Sequence, residues 1–163
     1  MAKTSRLDRI DLKILAELQR NGRTTNAALA DTVGLSQSPC LQRVKRLEAD
    51  GYIAGYGAQL DIAKLSDAIT VFTEITLQDH RREDFVNFEA GIGQFPEVVE
   101  CHLISGGYDY LLKFIAGSVA DYQTVIERVL EAGIGIEKYF SYIVIKSPIP
   151  ARPIPIDKIV DRG

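Results

Sequence analysis

The sequence contains no tryptophan, one methionine and two cysteines. Cys40 and Cys101 are too few for a disulfide scaffold and too far apart for paired zinc ligands, so both are expected to be small buried apolar residues. No apolar run approaches the roughly 20 residues of a membrane-spanning helix. The opening MAKTSRLDRID lacks the apolar core of a secretory leader. These absences point to a cytoplasmic protein, nucleoid-associated if it binds DNA, and exclude a membrane partner. Charge of one sign is also scarce: a net −3 excludes a chain that coats nucleic acid over its whole surface. Proline is nearly missing from the first 146 residues, where only Pro39 and Pro96 occur. There is no phosphate-cradling glycine loop, no metal-ligand cluster and no convincing carboxylate pair. Cys101 and His102 are neighbours on an expected strand and point to opposite faces, while His80 beside Arg81 and Arg82 reads as solvated. An enzyme, a cofactor and a metal site are therefore not expected.

What is present is a soluble composition, 46% hydrophobic over 163 residues, enough for one mid-sized domain or two small ones. Charge is unevenly distributed. Up to residue 60, nine cations, Lys3 and Arg6 among them, face six carboxylates, which leaves −6 for the remainder of a −3 chain. Only the N-terminal part is suited to a polyanion.

Ile10, Ile14 and Leu18, with Leu7 and Leu15, predict a first helix ending near Asn21-Gly22. Thr24 or Thr25 can cap a second helix through Val33, with Ala28, Leu29 and Val33 facing inward. Gly34 stops it, and a third helix begins within a few residues, capped either by Ser36 or by Ser38. On that helix Cys40, Leu41, Val44 and Leu47 share one side. Ser38, Gln42 and Arg46 line the other at four-residue spacing, flanked by Arg43 and Lys45. A helix-turn-helix with an outward face of hydrogen-bonding and cationic side chains is what a major-groove reader requires. Residues 52–60 alternate weakly, with two glycines, as a wing hairpin would. Residues 61–67 read as a linker.

From residue 68 the period changes to two. Ile69, Val71, Ile75 and Leu77 mark a strand, Phe85, Phe88 and Ile92 a helix, and residues 98–105 and 108–116 a hairpin about Gly106-Gly107. Tyr122, Val125, Ile126 and Val129 mark a second helix, and residues 136–145 a last strand. The order β-α-β-β-α-β is the ferredoxin-like arrangement, so the chain is of the α+β class. Both faces of the sheet carry large apolar residues, so whichever parity holds, residues from sets such as Phe72, Phe114, Phe140 and Tyr142 lie on the face away from the helices, a broad apolar surface suited to self-association. The proline-rich tail, 148–163, either runs extended over a neighbouring surface or is disordered.

The segments LDRIDLKILAELQRNGR, LADTVGLSQSPCLQRVKRLEADGYI and SGGYDYLLK, in this order, resemble the leucine-responsive regulatory protein/AsnC (Lrp/AsnC) family of prokaryotic transcription regulators. The resemblance runs to about residue 147. It implies an N-terminal winged helix-turn-helix over 1–60 and a C-terminal effector-binding and oligomerising RAM domain over 68–147. It further implies homodimers that commonly assemble into octamers, and an amino-acid effector. Carried over by position, it puts DNA contacts on Ser36, Gln37, Ser38, Pro39, Gln42, Arg43, Lys45 and Arg46. Among these, Gln42 suits adenine and Arg46 guanine, while Arg43 and Lys45 suit phosphates. A dimer would place its two reading helices about 34 Å apart on a pseudo-palindromic operator. The family's Gly-x-Tyr-Asp turn falls on Gly106, Gly107, Tyr108, Asp109 and Tyr110, where glycine amides would receive a carboxylate and Asp109 an ammonium. The competing expectation is an architectural protein that wraps DNA without an effector.

Overall fold

The structure, a computed structural model, describes residues 7–149 and 152–160. Lys3 and Arg6 of the basic N-terminal third, and positions 150, 151 and 161–163 of the tail, lie outside the described residues. The chain divides into two compact units: Met1–Gln59 with Ile149–Gly163, and Leu60–Pro148. Among the described residues no helix is long and apolar enough to cross a membrane.

Three helices build the first unit: α1 (Arg9–Arg20), α2 (Asn26–Val33) and α3 (Gln37–Ala49). Asp8 caps α1, its carboxylate accepting from the Ile10 and Asp11 amides, while Asp11 accepts from the Asp8 amide at 3.0 Å. This reciprocal box satisfies amides that no helix carbonyl can reach. Thr25 caps α2 by accepting from the Ala28 amide. Gly34 then turns the chain at φ +76, a conformation that favours glycine, and the Leu35 amide donates back to Ala30. The Asn26 side chain donates to the Gln37 carbonyl at 2.9 Å, pinning the start of α2 to the start of α3. Ile14, Leu29, Ala30, Val33, Cys40 and Leu47 form the core between the three helices. Ala28, expected to face inward, is exposed, and the small side chain packed there is Ala30. Leu41 is also turned outward, 42% exposed, because the buried stripe of α3 passes through Cys40 and Leu47.

The expected wing hairpin is not formed. Residues 52–60 carry no strand, and the Tyr52 and Ile53 amides both donate to Leu47, which continues the α3 terminus. Two glycines and no strong alternation give this segment little to pair with. From Ile149 onward the described part of the tail belongs to the first unit. Residues 152–155 are without regular structure, and α7 (Ile156–Val160) follows within the first unit.

In the second unit the expected linker contains a helical turn, α4 (Ile62–Leu65). There follow β1 (Ile69–Leu77), α5 (Arg82–Ile92), β2 (Val98–Leu103), β3 (Tyr110–Ala116), α6 (Val119–Glu131) and β4 (Ile136–Ile143). The sheet order is β2-β3-β1-β4, antiparallel throughout, which is the ferredoxin-like topology. Val71, Thr73, Ile75 and Leu77 of β1 and Tyr110, Leu112, Phe114 and Ala116 of β3 face the helices, and Phe88, Ile92, Tyr122, Val125, Ile126 and Val129 cover them. Thr73, the polar member of this core, shares a hydrogen bond with the Tyr122 hydroxyl at 2.8 Å. The parity left open by the sequence is settled for Phe114, which is fully buried on the helix side. Phe72, Phe140 and Tyr142 do lie on the outer face: the register pairs Phe72 with Tyr142 and Glu74 with Phe140. Cys101, expected to be buried, is exposed on the edge strand β2, whereas Cys40 is buried.

Candidate functional site

The α3 face is built from its N-terminus. Ser36 is the N-cap, with extended backbone and no side-chain cap bond, so Pro39 occupies the third helical position. A proline there costs no helix hydrogen bond, since the first amides of a helix lack carbonyl partners. Ser36, Gln37, Ser38, Pro39, Gln42 and Lys45 are all exposed. They form one polar surface rising from the turn.

Arg43 and Arg46 are placed differently. Arg43 Nη1 donates to Asp8 Oδ2 at 2.6 Å and to Asp11 Oδ1 at 2.8 Å. Arg46 Nη2 lies 2.6 Å from Asp11 Oδ2 as an ion pair that lacks hydrogen-bond alignment. The Asp11 side chain is 1% exposed, those of Arg43 and Arg46 26% and 40%. The Asp11 amide, and after it the Arg43 guanidinium, hold the Asp8 carboxyl below its usual 3.8. Hydrogen bonds from Arg43 to Asp8 and then Asp11 raise the arginine in turn. Two carboxylates of α1 thus compensate two of the three cations of α3. Lys45 is the cation on this helix that projects without an ion pair among the described residues. Asp8 and Asp11 are a part of this surface that sequence reasoning missed. Their signal was present: Asp-x-x-Asp at a helix start on one side and Arg-x-x-Arg on the facing helix.

In the second unit Gly106-Gly107 is not a tight hairpin turn. The connection between β2 and β3 runs from 104 to 109 and is closed by the Ile104 amide donating to the Asp109 carbonyl at 2.9 Å. Both glycines are exposed, neither has a positive φ, and a Cβ on either would meet open space. Tyr108 is half-buried. The Asp109 carboxylate accepts from the Leu77 amide at 2.8 Å and lies 3.0 Å from His80 Nε2 through both oxygens. His80 is therefore engaged and not merely solvated. Tyr110, 1% exposed, donates from its hydroxyl to Glu89 at 2.9 Å, and burial followed by that carboxylate raises it well above the ordinary phenol value.

A cavity of about 410 Å³ opens between α5 and β2 beside this loop, walled by Ile92, Val98, Val99 and Leu103 with Glu89, Cys101 and Tyr110 among its polar lining. Of the five residues expected at an effector site, Tyr110 alone lines it. The two glycines present their backbone to solvent, and Asp109 is committed to holding the loop against the end of β1. Glu89 was not legible in the sequence, since nothing in a helical pattern announces a carboxylate that turns toward a strand-borne tyrosine.

Comparison with known proteins agrees with both halves. A model of winged helix-turn-helix DNA-binding domains matches residues 7–54, and one of the Lrp/AsnC ligand-binding domain matches residues 70–154. The transcriptional regulatory protein DoeX of Halomonas elongata is 46% identical over 155 residues, 94% of this chain and 98% of that protein. The leucine-responsive regulatory protein of Haemophilus influenzae is 44% identical over 140 residues, 86% of this chain and 84% of that protein. Among solved structures, a transcriptional regulator from Neisseria meningitidis in complex with L-Met superposes with a TM-score of 0.86 at 31% identity, covering 94% of this chain and 99% of that one. An AsnC family transcriptional regulator from Agrobacterium tumefaciens gives the same TM-score at 35% identity and the same coverage.

Proposed function

This chain belongs to the Lrp/AsnC family of transcriptional regulators, and we propose that it binds a pseudo-palindromic operator as a homodimer under the control of an amino acid. It is a regulator with a DNA-binding domain and a ligand-binding domain, related to proteins that are not enzymes. The observation that carries the DNA reading is the uninterrupted exposed row Gln37, Ser38, Gln42 and Lys45 on α3. Gln42 offers the paired amide that matches adenine in the major groove, and Lys45 takes a phosphate. Ser36, Gln37 and Ser38 bring hydroxyls, an amide and the helix N-terminus to the backbone. Arg43 and Arg46 approach DNA from a position set by Asp8 and Asp11, so their share in contact is smaller than their charge suggests.

The ligand reading rests on the cavity. Its apolar walls suit an aliphatic or thioether side chain and Glu89 can accept from an α-ammonium, whereas the 104–109 loop lies outside its lining, so a carboxylate would have to extend from the cavity to meet the loop amides. The bound L-Met of the Neisseria relative is of this chemistry. Control of amino-acid metabolism or transport, an octameric assembly and residence on the nucleoid follow from the same reading.

Selection of operators from a random pool, followed by footprinting with and without each common amino acid, tests the whole. A discrete protected site whose occupancy changes with one amino acid is expected. Sequence-tolerant, phased protection that no amino acid alters would replace this reading with an architectural one. In the same assay Gln42→Ala should lose about 1 to 3 kcal/mol of discrimination at one base position.

A further inference from the structure

The last described segment of the chain belongs to the first unit, although the chain enters it from the second at Pro148. Its contact is specific at one point. The Ile154 amide donates to Gln19 Oε1 at 2.8 Å, and Gln19 Nε2 donates to the Ile154 carbonyl at 3.3 Å, so one side-chain amide pairs with both backbone groups of a residue 135 positions away. Around this pair lies an apolar cavity of about 490 Å³. Leu12, Leu15 and Leu18 of α1 and Tyr52, Ile53 and Tyr56 of the connector form one side, and Ile154, Ile156 and Val160 the other. Leu15 and Leu18 touch the three-helix core with one side yet stay only half-buried, as does Leu12 beside them, so part of their apolar surface is left for a second contact. The tail supplies apolar residues at matching positions within an otherwise proline-broken stretch. They are lightly held: Ile154 stays 60% and Val160 42% exposed.

We propose that residues 152–160 are a strap, an intramolecular segment that docks non-covalently on the groove between α1 and residues 52–56 and gives the DNA-binding domain a second tie to the ligand-binding domain. The first tie is the 60–68 connector. One tie leaves a domain free to swivel, whereas two ties at separate points restrict it, and the restriction falls on how far apart the two α3 helices of a dimer can be. This consequence for DNA rests on the regulator reading; the docking itself does not.

The full chain carrying Cys101→Ser is given Gln19→Cys and Ile154→Cys and treated with a short bismaleimide. Cross-linking is expected at monomer mobility on a denaturing gel. A dimer-mobility product would assign the strap to a second copy, and no product would remove it; either overturns the proposal. Ile156→Asp with Val160→Asp, which leaves the three-helix core untouched, should abolish cross-linking between positions 19 and 154 when combined with Gln19→Cys and Ile154→Cys. It should also speed amide exchange across residues 12–19 and protease cleavage within 52–68 at least several-fold, and unchanged exchange and cleavage overturn the proposal. On operators with half-site spacing varied by one to three base pairs, the Asp variant should bind off-spaced sites with several-fold less penalty than the wild type. Equal penalties in two binding-competent proteins count against the strap. Failure of both proteins to bind any operator counts against the regulator reading, while cross-linking and exchange still decide the strap.

Discussion

Asp11 shows how a buried residue can set the position of charged side chains that stand at the surface. It is buried at the N-terminus of α1, completes the capping box of Asp8 and faces both Arg43 and Arg46. A buried carboxylate is tolerable only when paired, and here the pairing draws two guanidinium groups back from solvent. Asp11→Asn should cost about 1 to 3 kcal/mol of stability in thermal or urea unfolding, less than a fully buried pair would, because both arginines can turn to water. The same change should steepen the salt dependence of DNA binding by up to about 0.9 in log K against log salt for each arginine that gains a phosphate, read by anisotropy across a salt series. Lys45→Ala should do the opposite and flatten that slope by about 1, uniformly across sequences. An unchanged slope in both variants would refute this division of labour. Asp8 adds a pH dependence. Its folded value lies below 3.8, so its contribution is complete above that pH and is lost as pH falls through the depressed value. Asp8→Ala should lower the melting temperature at neutral pH through the lost cap, worth about 0.5 to 2 kcal/mol, and should narrow its gap to the wild type as the buffer approaches pH 3.

At the scale of elements, the 104–109 loop sets a residue that holds the structure beside two that touch nothing, within one short motif. Asp109 anchors the loop to Leu77 and His80, whereas Gly106 and Gly107 touch nothing within 4 Å of where a Cβ would stand. Gly107→Ala should therefore leave stability within about 0.5 kcal/mol of wild type while weakening an effector that uses the loop amides, as titration calorimetry would read. Asp109→Ala should lower stability first and binding as a consequence. Gly91 of α5 is the contrasting case: a methyl there would overlap the Ile134 side chain, so Gly91→Ala should cost about 1 to 3 kcal/mol despite its better helix propensity. The elements themselves were largely legible. Period 3.6 up to residue 50 and period 2 from residue 68 reflect which faces must be buried, and caps such as Thr25 and Gly34 sit where local chemistry puts them. What the sequence could not carry was contact between distant segments. The partners of Arg43, the commitment of Asp109, the parity of Phe114 and the docking of Ile154 on Gln19 depend on which elements meet. The wing failed for a different reason, since weak alternation with two glycines specifies no register.

For the molecule as a whole, the proposal of a dimer rests on the outer face of the sheet. Phe72, Leu111 and Ile115 are half-buried there, and Phe140 and Tyr142 are 57% and 51% exposed. Toward the edge strand lies the pair Lys113–Glu100 at 2.7 Å with His102 near by, and it holds Glu100 below its usual value. A largely apolar face, with Glu74 of β1 set between Leu111 and Phe140 and an ion pair toward its edge, is suited to an isologous interface, in which one patch meets its own copy. Phe140→Asp with Tyr142→Asp puts two carboxylates into that face, and two-fold symmetry doubles them to four. Because neither side chain belongs to the helix-covered core, circular dichroism should remain that of the wild type. Sedimentation should move from an oligomer to a monomer. Operator affinity should then fall by the 10²–10⁴ that linking two half-site contacts typically provides, while the salt slope halves because each bound monomer neutralises half as many phosphates. A variant that stays dimeric, or a monomer that keeps both affinity and slope, would show that this face does not pair the two reading helices.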